Sequence, residues 1–237
     1  AYFLLMDRLP KTLSERVSEW KRLVNTTECP TENTRKMILL EQLKIARDIA
    51  SALEYLHNKG YIFRDLKVDN IGLNSQGQGI LFDFGLARPM PRGKNLNKTY
   101  EMSGNVGNSR YMAPEVRQCK PYNTKADVYS FACVLREILE RPFVGDNSTG
   151  IRRLLSRSLH HDMAKRPTMK EVHAILGNTI TTLQGGAGGR MKKGISSMLL
   201  HRKISSLHRR DVPHAGTQNP EAGHTALAQS IRQKMKQ

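Results

Sequence analysis

The sequence predicts an α+β fold that is mainly helical and contains one small β-hairpin. Several segments repeat apolar residues at steps near 3.6, which is the pattern of amphipathic helices. Two short apolar pieces, at 71–73 and 79–82, flank the turn-rich segment 74–78, which is the pattern of a hairpin. At 237 residues the chain is long enough for one medium domain with a hydrophobic core, followed by a tail.

The first third of the chain predicts a strand and two helices. Residues 1–6 are apolar and partly aromatic, as in a buried strand, and a break follows them. A short helical pattern covers 11–24, and a polar loop around Pro30 separates it from a strong amphipathic helix over 35–58. Gly60 supplies the stop for this second helix.

The second half of the chain predicts three more helices, at 124–139, 151–160 and 168–183. Thr124 with Asp127, and Thr168 with Glu171, have the spacing of capping boxes, although Asp is weaker than Glu in that position. We therefore expect both pairs to cap the N-termini of their helices by hydrogen bonding to free backbone N–H groups.

The stretch 87–109 is rich in Pro, Gly, Asn and Lys and shows no periodicity. A loop of that length inside a compact domain is functional or disordered.

The charge of the chain is strongly basic, since 38 Lys and Arg against 21 Asp and Glu give +17. Many of the basic residues follow residue 185, where Asp211 and Glu221 are the two acids. We expect residues 184–237 to form a disordered basic tail. Such a tail is either simply solvated or contacts anionic surfaces or nucleic acid without sequence specificity.

The cysteines and the apolar runs exclude several classes of protein. Cys29, Cys119 and Cys133 are scattered, so no pair has metal-ligand spacing and no even set indicates a disulfide framework. The longest apolar run, at 1–6, is too short to span a bilayer. We expect an intracellular, cytoplasmic protein, with a nuclear location open through the basic tail. Because the chain begins with Ala1, we also expect it to be a fragment of a longer protein.

Three polar clusters carry the candidate chemistry. They lie in "YIFRDLKVDN" (61–70), "FDFG" (82–85) and "RYMAPEV" (110–116). Phosphoryl transfer depends mainly on positioning and on neutralising phosphate charge. Asp65 is suited to accept a proton from an incoming hydroxyl, and Lys67 shares its face on an extended segment. Asn70 and Asp83 offer the oxygen ligands that magnesium prefers, and Gly85 would allow a sharp turn after Asp83.

These motifs, in this order, resemble the eukaryotic protein kinase family. "FRDLKVDN" matches its catalytic loop, "DFG" its magnesium motif and "APE" the end of its activation segment. The resemblance implies that Asp65 is the catalytic base, that Lys67 contacts the phosphate, and that Asn70 and Asp83 hold Mg²⁺ for ATP. A lysine at position 67 resembles the pattern of the serine/threonine class of kinases. Within that class, the motifs of this sequence are most similar to those of the tyrosine-kinase-like group. Phe63 replaces the usual histidine.

The resemblance covers residues 1–183, as the hinge and the C-terminal lobe of a kinase domain. It implies that Phe63 packs on Phe84, that Asp127 supports the catalytic loop, and that Arg166 pairs with Glu115. It also identifies Met6 as the gatekeeper and places the backbone of Asp7 to Leu9 against adenine.

The activation segment holds three candidate phosphoacceptors, Thr99, Tyr100 and Ser103, and Arg64 is the matching cation.

The sequence departs from the family pattern in three respects. The glycine-rich loop, the strand lysine and its glutamate partner have no counterpart, and neither does the N-terminal β-lobe that carries them. We therefore predict weak ATP binding by this chain alone. Asn108 stands where a bridging threonine or serine is usual. A docking helix is missing between Phe143 and Arg166.

Two other functions stay open. A catalytically impaired pseudokinase, acting as a binding or scaffold module, fits the missing half of the ATP site, although the set of Asp65, Lys67, Asn70 and Asp83 is retained. A nucleic-acid-binding protein fits the charge of +17, although the sequence has no zinc spacing, aromatic RNA-binding motif or basic zipper. Otherwise we expect a serine/threonine kinase that phosphorylates protein substrates.

Overall fold

The structure is a computed structural model, and it describes residues 8–26, 31–91, 98–139 and 148–185. Within these ranges the helices are α1 (Leu13–Thr26), α2 (Glu32–Asn58), α3 (Pro114–Arg117), α4 (Lys125–Ile138), α5 (Ser148–Ser158) and α6 (Met169–Gly185). The strands are β1 (Lys11–Thr12), β2 (Tyr61–Ile62), β3 (Ile71–Leu73), β4 (Gly79–Leu81) and β5 (Arg88–Pro89). Short 3₁₀ turns cover Val68–Asn70 and Met163–Lys165. The α+β prediction is confirmed.

Two small antiparallel sheets flank the loop that carries Asp65. β1, β3 and β4 form one sheet in that order, with Lys11 opposite Leu73 and Gly72 opposite Ile80. β2 pairs with β5 in the other. The predicted hairpin is confirmed: the Asn74 side chain accepts from two backbone N–H groups of the turn, and Gly77 has a positive φ of 78°. The loop 63–70 is therefore held at both ends by β structure.

α2 runs over 27 residues and is the longest helix described. Its apolar stripe is buried through Ile38, Leu43, Ile45, Ile49, Leu53 and Leu56. The helix begins three residues before the predicted start, because the Thr31 side chain accepts from Thr34 N at 3.2 Å and caps it. It ends before Gly60, which has a φ of 79° as predicted for the stop.

The main core lies where α2 packs along α6 and α4 packs against α2. α4 is buried on nearly all sides between Ala126 and Leu135, where most of its residues are apolar, as expected of a central helix. A second, smaller core lies beneath the segment that leads into α3, and it contains Ile62, Met112, Ala113, Val116, Tyr122 and Ala126. Burial of this apolar surface stabilises the loops that cross it.

One of the two predicted capping boxes is present. Thr168 N donates to Glu171 Oε2 at 2.7 Å, and Glu171 N donates to Thr168 Oγ1 at 3.2 Å. The prediction for Thr124 and Asp127 is wrong, since Thr124 makes no side-chain cap bond. The Asp127 carboxylate is instead directed at the loop before Asp65, where it accepts from Phe63 N and Arg64 N, and its Oδ2 also lies 2.8 Å from His57 Nε2 of α2.

The stretch 87–109 has more backbone pairing than its composition predicts. It contributes β5, and the bridge between Tyr100 and Tyr122 pairs it with the segment before α4. Such pairing comes from partners distant in sequence, so local periodicity does not reveal it.

Several sequence predictions lie outside the described residues. These are the strand at 1–6, Met6, Asp7, Cys29, the region of Phe143, and the predicted tail from residue 186 on. The tail was predicted to begin at 184, but residues 184 and 185 belong to α6. Within the described ranges, no helix is both long and apolar enough to cross a membrane.

Candidate active site

The Asp65 carboxylate is the centre of the candidate site. Asp65 is 9% exposed and lies on the loop between β2 and the 3₁₀ turn. Lys67 Nζ lies 3.2 Å from Asp65 Oδ2, and Asn70 Nδ2 donates to the same oxygen at 2.8 Å. Asn70 Nδ2 also donates to the Asp65 carbonyl at 2.9 Å. Within the described part of the chain Oδ1 accepts no hydrogen bond, so it is available to an incoming hydroxyl group.

Asp127 fixes the backbone that leads to Asp65. It is 1% exposed, and its Oδ2 accepts from Phe63 N at 2.8 Å while its Oδ1 accepts from Arg64 N at 2.9 Å. Arg64 has a φ of 70°, a left-handed conformation that costs about 1–3 kcal/mol outside glycine. The two bonds to a buried carboxylate hold that conformation in place.

His57 is a site residue that the sequence analysis missed. It lies near the end of α2, is 6% exposed, and its Nε2 lies 2.8 Å from Asp127 Oδ2. The bond joins α2 to the helix α4 across the base of the loop. A histidine in an amphipathic helix gave no signal, because its partner lies 70 residues away in the sequence.

Phe63 and Phe84 are in edge-to-face contact, with ring centroids 5.4 Å apart and planes inclined at 84°. This geometry is favourable for aromatic pairs. It joins the Asp65 loop to the segment that carries Asp83.

Asp83 is exposed, and the structure does not bring it into hydrogen-bond contact with Asp65 or Asn70. Its Oδ1 accepts from Gly85 N at 3.2 Å. The left-handed turn falls on Asp83 itself, with a φ of 59°. The chain also turns at Gly85, as expected, since Ala87 N donates to Phe84 O at 3.0 Å across it, but Gly85 itself has no positive φ.

Arg64 connects the loop to the segment between Asp83 and Glu115, which the resemblance identifies as the activation segment. Its Nε donates to Leu86 O at 2.7 Å, and its Nη1 donates to Ser103 Oγ at 2.8 Å and to Tyr122 Oη at 3.1 Å. Tyr122 Oη in turn donates to Ser103 O at 2.8 Å. Of the three candidate phosphoacceptors, the structure therefore places Ser103 at Arg64. Thr99 and Tyr100 lie elsewhere on the segment.

Gly107 was also missed by the sequence analysis. Its φ is 87°, and a Cβ at this position would lie 2.6 Å from Arg64 O and 3.3 Å from Asp65 Oδ1. The segment before Tyr111 can thus approach the loop this closely only with glycine. Asn108, the expected bridging position, has its Oδ1 bonded to Arg110 N at 3.0 Å, whereas Lys67 contacts Asp65 directly.

Arg166 and Glu115 lie together beneath this segment. The guanidinium donates to both carboxylate oxygens, at 2.6 and 2.8 Å, and its side chain is fully buried. Among the predicted adenine contacts, Leu9 is described. It lies against β3, where a Cβ on Gly72 would overlap with its side chain.

Asn70 and Asp83 carry oxygen donors of the kind that a hydrated magnesium ion takes. Asn70 uses its amide nitrogen toward Asp65, which leaves its carbonyl oxygen for a cation, and Asp83 has an exposed carboxylate. Magnesium is commonly held by one or two side chains together with phosphates and water. In the described ranges no group of three or more His, Cys, Asp or Glu could hold a metal ion.

Tyr111 and Asp65 both line a small cavity of about 20 Å³. The Tyr111 hydroxyl donates to Glu137 Oε2 at 2.6 Å. Desolvation, together with this bond, raises the pKa of Tyr111 well above its ordinary value. The phenol therefore acts as a fixed hydrogen-bond donor in this part of the structure.

Comparison with known proteins places these observations in a family. The family model of the protein kinase domain matches residues 14–152, which is more than half of the chain. A probable LIM domain-containing serine/threonine-protein kinase from Dictyostelium discoideum is 33% identical over 65% of the chain. From Arabidopsis thaliana, the serine/threonine-protein kinase STY17 is 32% identical over 64% of the chain, and the serine/threonine/tyrosine-protein kinase HT1 is 42% identical over 44%.

The matched segments make up 22, 31 and 25% of those three relatives, in the same order. The chain thus spans less than a third of the length of each. The match nevertheless includes the Asp65 loop, the Asp83 motif and Glu115, whose geometry is described above. This chain belongs to the protein kinase family.

Proposed function

We propose that this chain is part of a serine/threonine protein kinase, which transfers the γ-phosphoryl group of ATP to hydroxyl groups of protein substrates. The observation that carries the proposal is the Asp65 carboxylate, whose Oδ2 is held by Lys67 and Asn70 while Oδ1 stays available. A general base must be fixed in orientation and still reach its proton, and this arrangement provides both.

In the proposed mechanism Asp65 Oδ1 accepts a hydrogen bond from the substrate hydroxyl and orients its oxygen toward the γ-phosphorus. The Lys67 ammonium, 3.2 Å from Asp65 Oδ2, would also neutralise charge on the transferring group. Asn70 and Asp83 would hold the magnesium ion. When bound, ATP supplies the phosphoryl group and Mg²⁺ neutralises its phosphate charge.

The serine/threonine class and the cellular setting are part of the proposal. Lys67 and the similarity to the serine/threonine-protein kinases named above support the class. The scattered cysteines favour an intracellular, cytoplasmic protein.

The test is transfer of labelled phosphate from ATP to a protein mixture, measured for this chain and for the longest product of its gene. We expect magnesium-dependent labelling that Asp65→Asn reduces by a factor of at least about 10², the typical contribution of a general base. Asp69→Asn is the matched control, because Asp69 is exposed on the same loop. Labelling by the gene product that survives Asp65→Asn would contradict the proposal.

The scaffold alternative predicts a different result in the same experiment. A pseudokinase would label no substrate, and the melting temperature of the longest gene product would not respond to ATP with Mg²⁺. A separate proposal concerns the basic tail, which we expect to bind anionic surfaces through its charge. Deletion of residues 186–237 should weaken retention on heparin, and unchanged retention would contradict that.

A further inference from the structure

We propose that three exposed arginines near Asp65 form a binding surface for acidic segments of protein substrates. They are Arg110, Arg117 and Arg136, and together they are called the arginine surface. The inference rests on the proposed function, because it names the class of substrate that the site at Asp65 would take. That class is peptides with Asp or Glu close to the hydroxyl group that is phosphorylated.

Arg110 is separated from the cavity at Asp65 by a single side chain. Tyr111 lines that cavity together with Asp65, and the guanidinium carbon of Arg110 lies over the Tyr111 ring, 5.7 Å from its centroid. The Arg110 side chain is 68% exposed. Because an extended peptide covers about 3.3–3.6 Å per residue, a peptide with its hydroxyl at Asp65 would meet Arg110 within a few residues of that hydroxyl.

Arg117 and Arg136 lie around Arg110. Arg117 Nη2 donates to Ser109 O at 2.7 Å, which places its guanidinium beside the peptide bond that leads into Arg110. Arg136 belongs to the last turn of α4. Burial raises the pKa of the Cys133 thiol, and the charges of Arg136, Arg110 and Arg117 are among those that oppose the rise. The three guanidinium groups therefore all lie near one residue of α4, although they come from separate segments.

Two carboxylates lie close to the arginine surface, and one of them is mostly covered. Glu137 Oε2 accepts from Tyr111 Oη at 2.6 Å and lies 3.4 Å from Arg110 Nη2, and the Glu137 side chain is only 13% exposed. Asp69 lies on the Asp65 loop, and its charge adds to the raised pKa of Tyr111 after the larger effects of burial and Glu137. Three guanidinium charges against two carboxylates leave the surface positive.

The arginines have donors left for a ligand. Arg117 has one N–H bonded to Ser109 O, and Arg136 forms no ion pair with any residue that the structure describes. A guanidinium presents five N–H groups in a planar fork that matches a carboxylate. Asp and Glu side chains can therefore be held by pairs of parallel hydrogen bonds at this surface.

A guanidinium also binds phosphate, so nucleic acid is the alternative ligand of the arginine surface. Two observations favour a peptide. The surface adjoins the cavity lined by Asp65, where the proposed function requires the hydroxyl of a protein substrate. It also offers three arginines, whereas proteins with strong, salt-dependent binding to DNA make about 6–10 phosphate contacts.

The test is binding of a fluorescein-labelled peptide to the 237-residue chain, measured by fluorescence anisotropy at low salt. The acidic peptide carries Glu on both sides of one Ser, and the reference peptide carries Gln in place of each Glu. We expect the triple variant Arg110→Gln/Arg117→Gln/Arg136→Gln to bind the acidic peptide at least about fivefold more weakly than the unmodified chain. One exposed ion pair contributes little, but this variant removes three cations at once.

The matched control removes the same charge from exposed positions on α5, the turn before α6 and α6 itself. It is Arg153→Gln/Lys165→Gln/Lys170→Gln. Both triple variants keep the basic residues beyond 185 and have equal net charge, so these contribute equally to binding. The control should change the affinity for the acidic peptide less than about twofold, because it leaves the arginine surface intact.

A single variant protects the test against misfolding of the triple variant, which circular dichroism would detect. Arg136→Gln breaks no hydrogen bond or ion pair that the structure describes, and it should weaken binding of the acidic peptide about twofold. Equal weakening in the two triple variants would show that only net charge matters and would overturn the proposal. Equal affinity of the unmodified chain for the acidic and the Gln peptide would overturn it as well.

Two further measurements separate the competing explanations. If the triple arginine variant loses more affinity for a single-stranded oligonucleotide than for the acidic peptide, the surface binds nucleic acid and the proposal is wrong. Phosphate labelling of both peptides by the longest gene product distinguishes this inference from the proposed function. Labelling of neither peptide would contradict the proposed function, whereas labelling of both at equal rates would contradict the arginine surface alone.

Discussion

Arg166 and Glu115 are 51 residues apart in the sequence and form a bidentate, buried ion pair. All five guanidinium N–H groups have acceptors, since the carbonyls of Lys125, His160 and His161 take the three that Glu115 does not. The pair thereby ties the end of the activation segment to the turn before α6.

Removal of one member of this pair should destabilise the fold strongly. Arg166→Met leaves the Glu115 carboxylate buried without its partner, which typically costs about 3–5 kcal/mol. Urea denaturation of the variant and the unmodified chain measures the difference. The double variant Arg166→Met/Glu115→Leu is the control, because it leaves no unpaired charge and should lose less than either single change. Equal losses in single and double variants would contradict this account.

Asp127→Asn should loosen the loop before Asp65. The amide offers one acceptor oxygen where the carboxylate offers two, so one N–H among those of Phe63, Arg64 and the His57 ring loses its partner. An unsatisfied buried group costs about 1–3 kcal/mol. Hydrogen exchange should show faster exchange at Phe63 N and Arg64 N than in the unmodified chain. Unchanged exchange at both amides would show that Asp127 does not hold the loop.

Gly107→Ala should disturb the Asp65 loop specifically. Both Gly107 and Gly77 have positive φ, of 87° and 78°, so alanine costs about 1–2 kcal/mol at either position. A Cβ at Gly107 would also lie 2.6 Å from Arg64 O, whereas nothing lies within 4 Å of one at Gly77. Gly107→Ala should therefore be the more destabilising in thermal unfolding. If Gly77→Ala costs as much, the contact with the loop has no influence.

Asp48 should make the fold less stable as the pH rises, whereas an ion-paired acid makes a fold more stable as the pH rises. Desolvation raises the pKa of Asp48 above its ordinary value of 3.8, although its carboxylate accepts from Gly79 N at 3.2 Å. The folded state then holds the proton more tightly than the unfolded state. The contribution of Asp48 to stability therefore decreases as the pH rises from 3.8 through the raised pKa.

Asp48→Asn tests this, because the amide oxygen keeps the bond from Gly79 N and carries no charge. We expect the variant to be at least as stable as the unmodified chain at pH 7 and to lack the decrease. Unfolding free energies measured from pH 4 to pH 7 decide the question, with Asp69→Asn as the exposed control. A variant that is less stable at pH 7 would show that the charged form is favoured.

Much of the fold could be predicted from the sequence, because its signals are local. The apolar stripe of α2, the Thr168–Glu171 cap and the hairpin around Gly77 each depend on residues a few positions apart. The roles of Asp127, His57 and Gly107 depend on partners brought close by the fold. Thr124 and Asp127 show the difference, since a local rule assigned Asp127 to a cap while three distant donors determine its position.

In the candidate site, too, local contacts could be predicted from the sequence and contacts between distant segments could not. The residues Asp65, Lys67 and Asn70 lie within six positions, and the structure joins them directly. Asp83 comes from another segment, and its carboxylate is turned to Gly85 N. The sequence could name Asp83, but the orientation of its side chain depends on a left-handed turn that no pattern indicated.

The three hydrogen-bond partners of the Arg64 guanidinium do not contribute independently to the stability of the fold. One side chain serves the Leu86 carbonyl, the Ser103 hydroxyl and the Tyr122 phenol, which belong to three separate segments. Their free energies are therefore coupled and not additive. The loss of any one partner frees the guanidinium to rearrange toward the other two, so the sum of three single substitutions will differ from the effect of removing Arg64 itself.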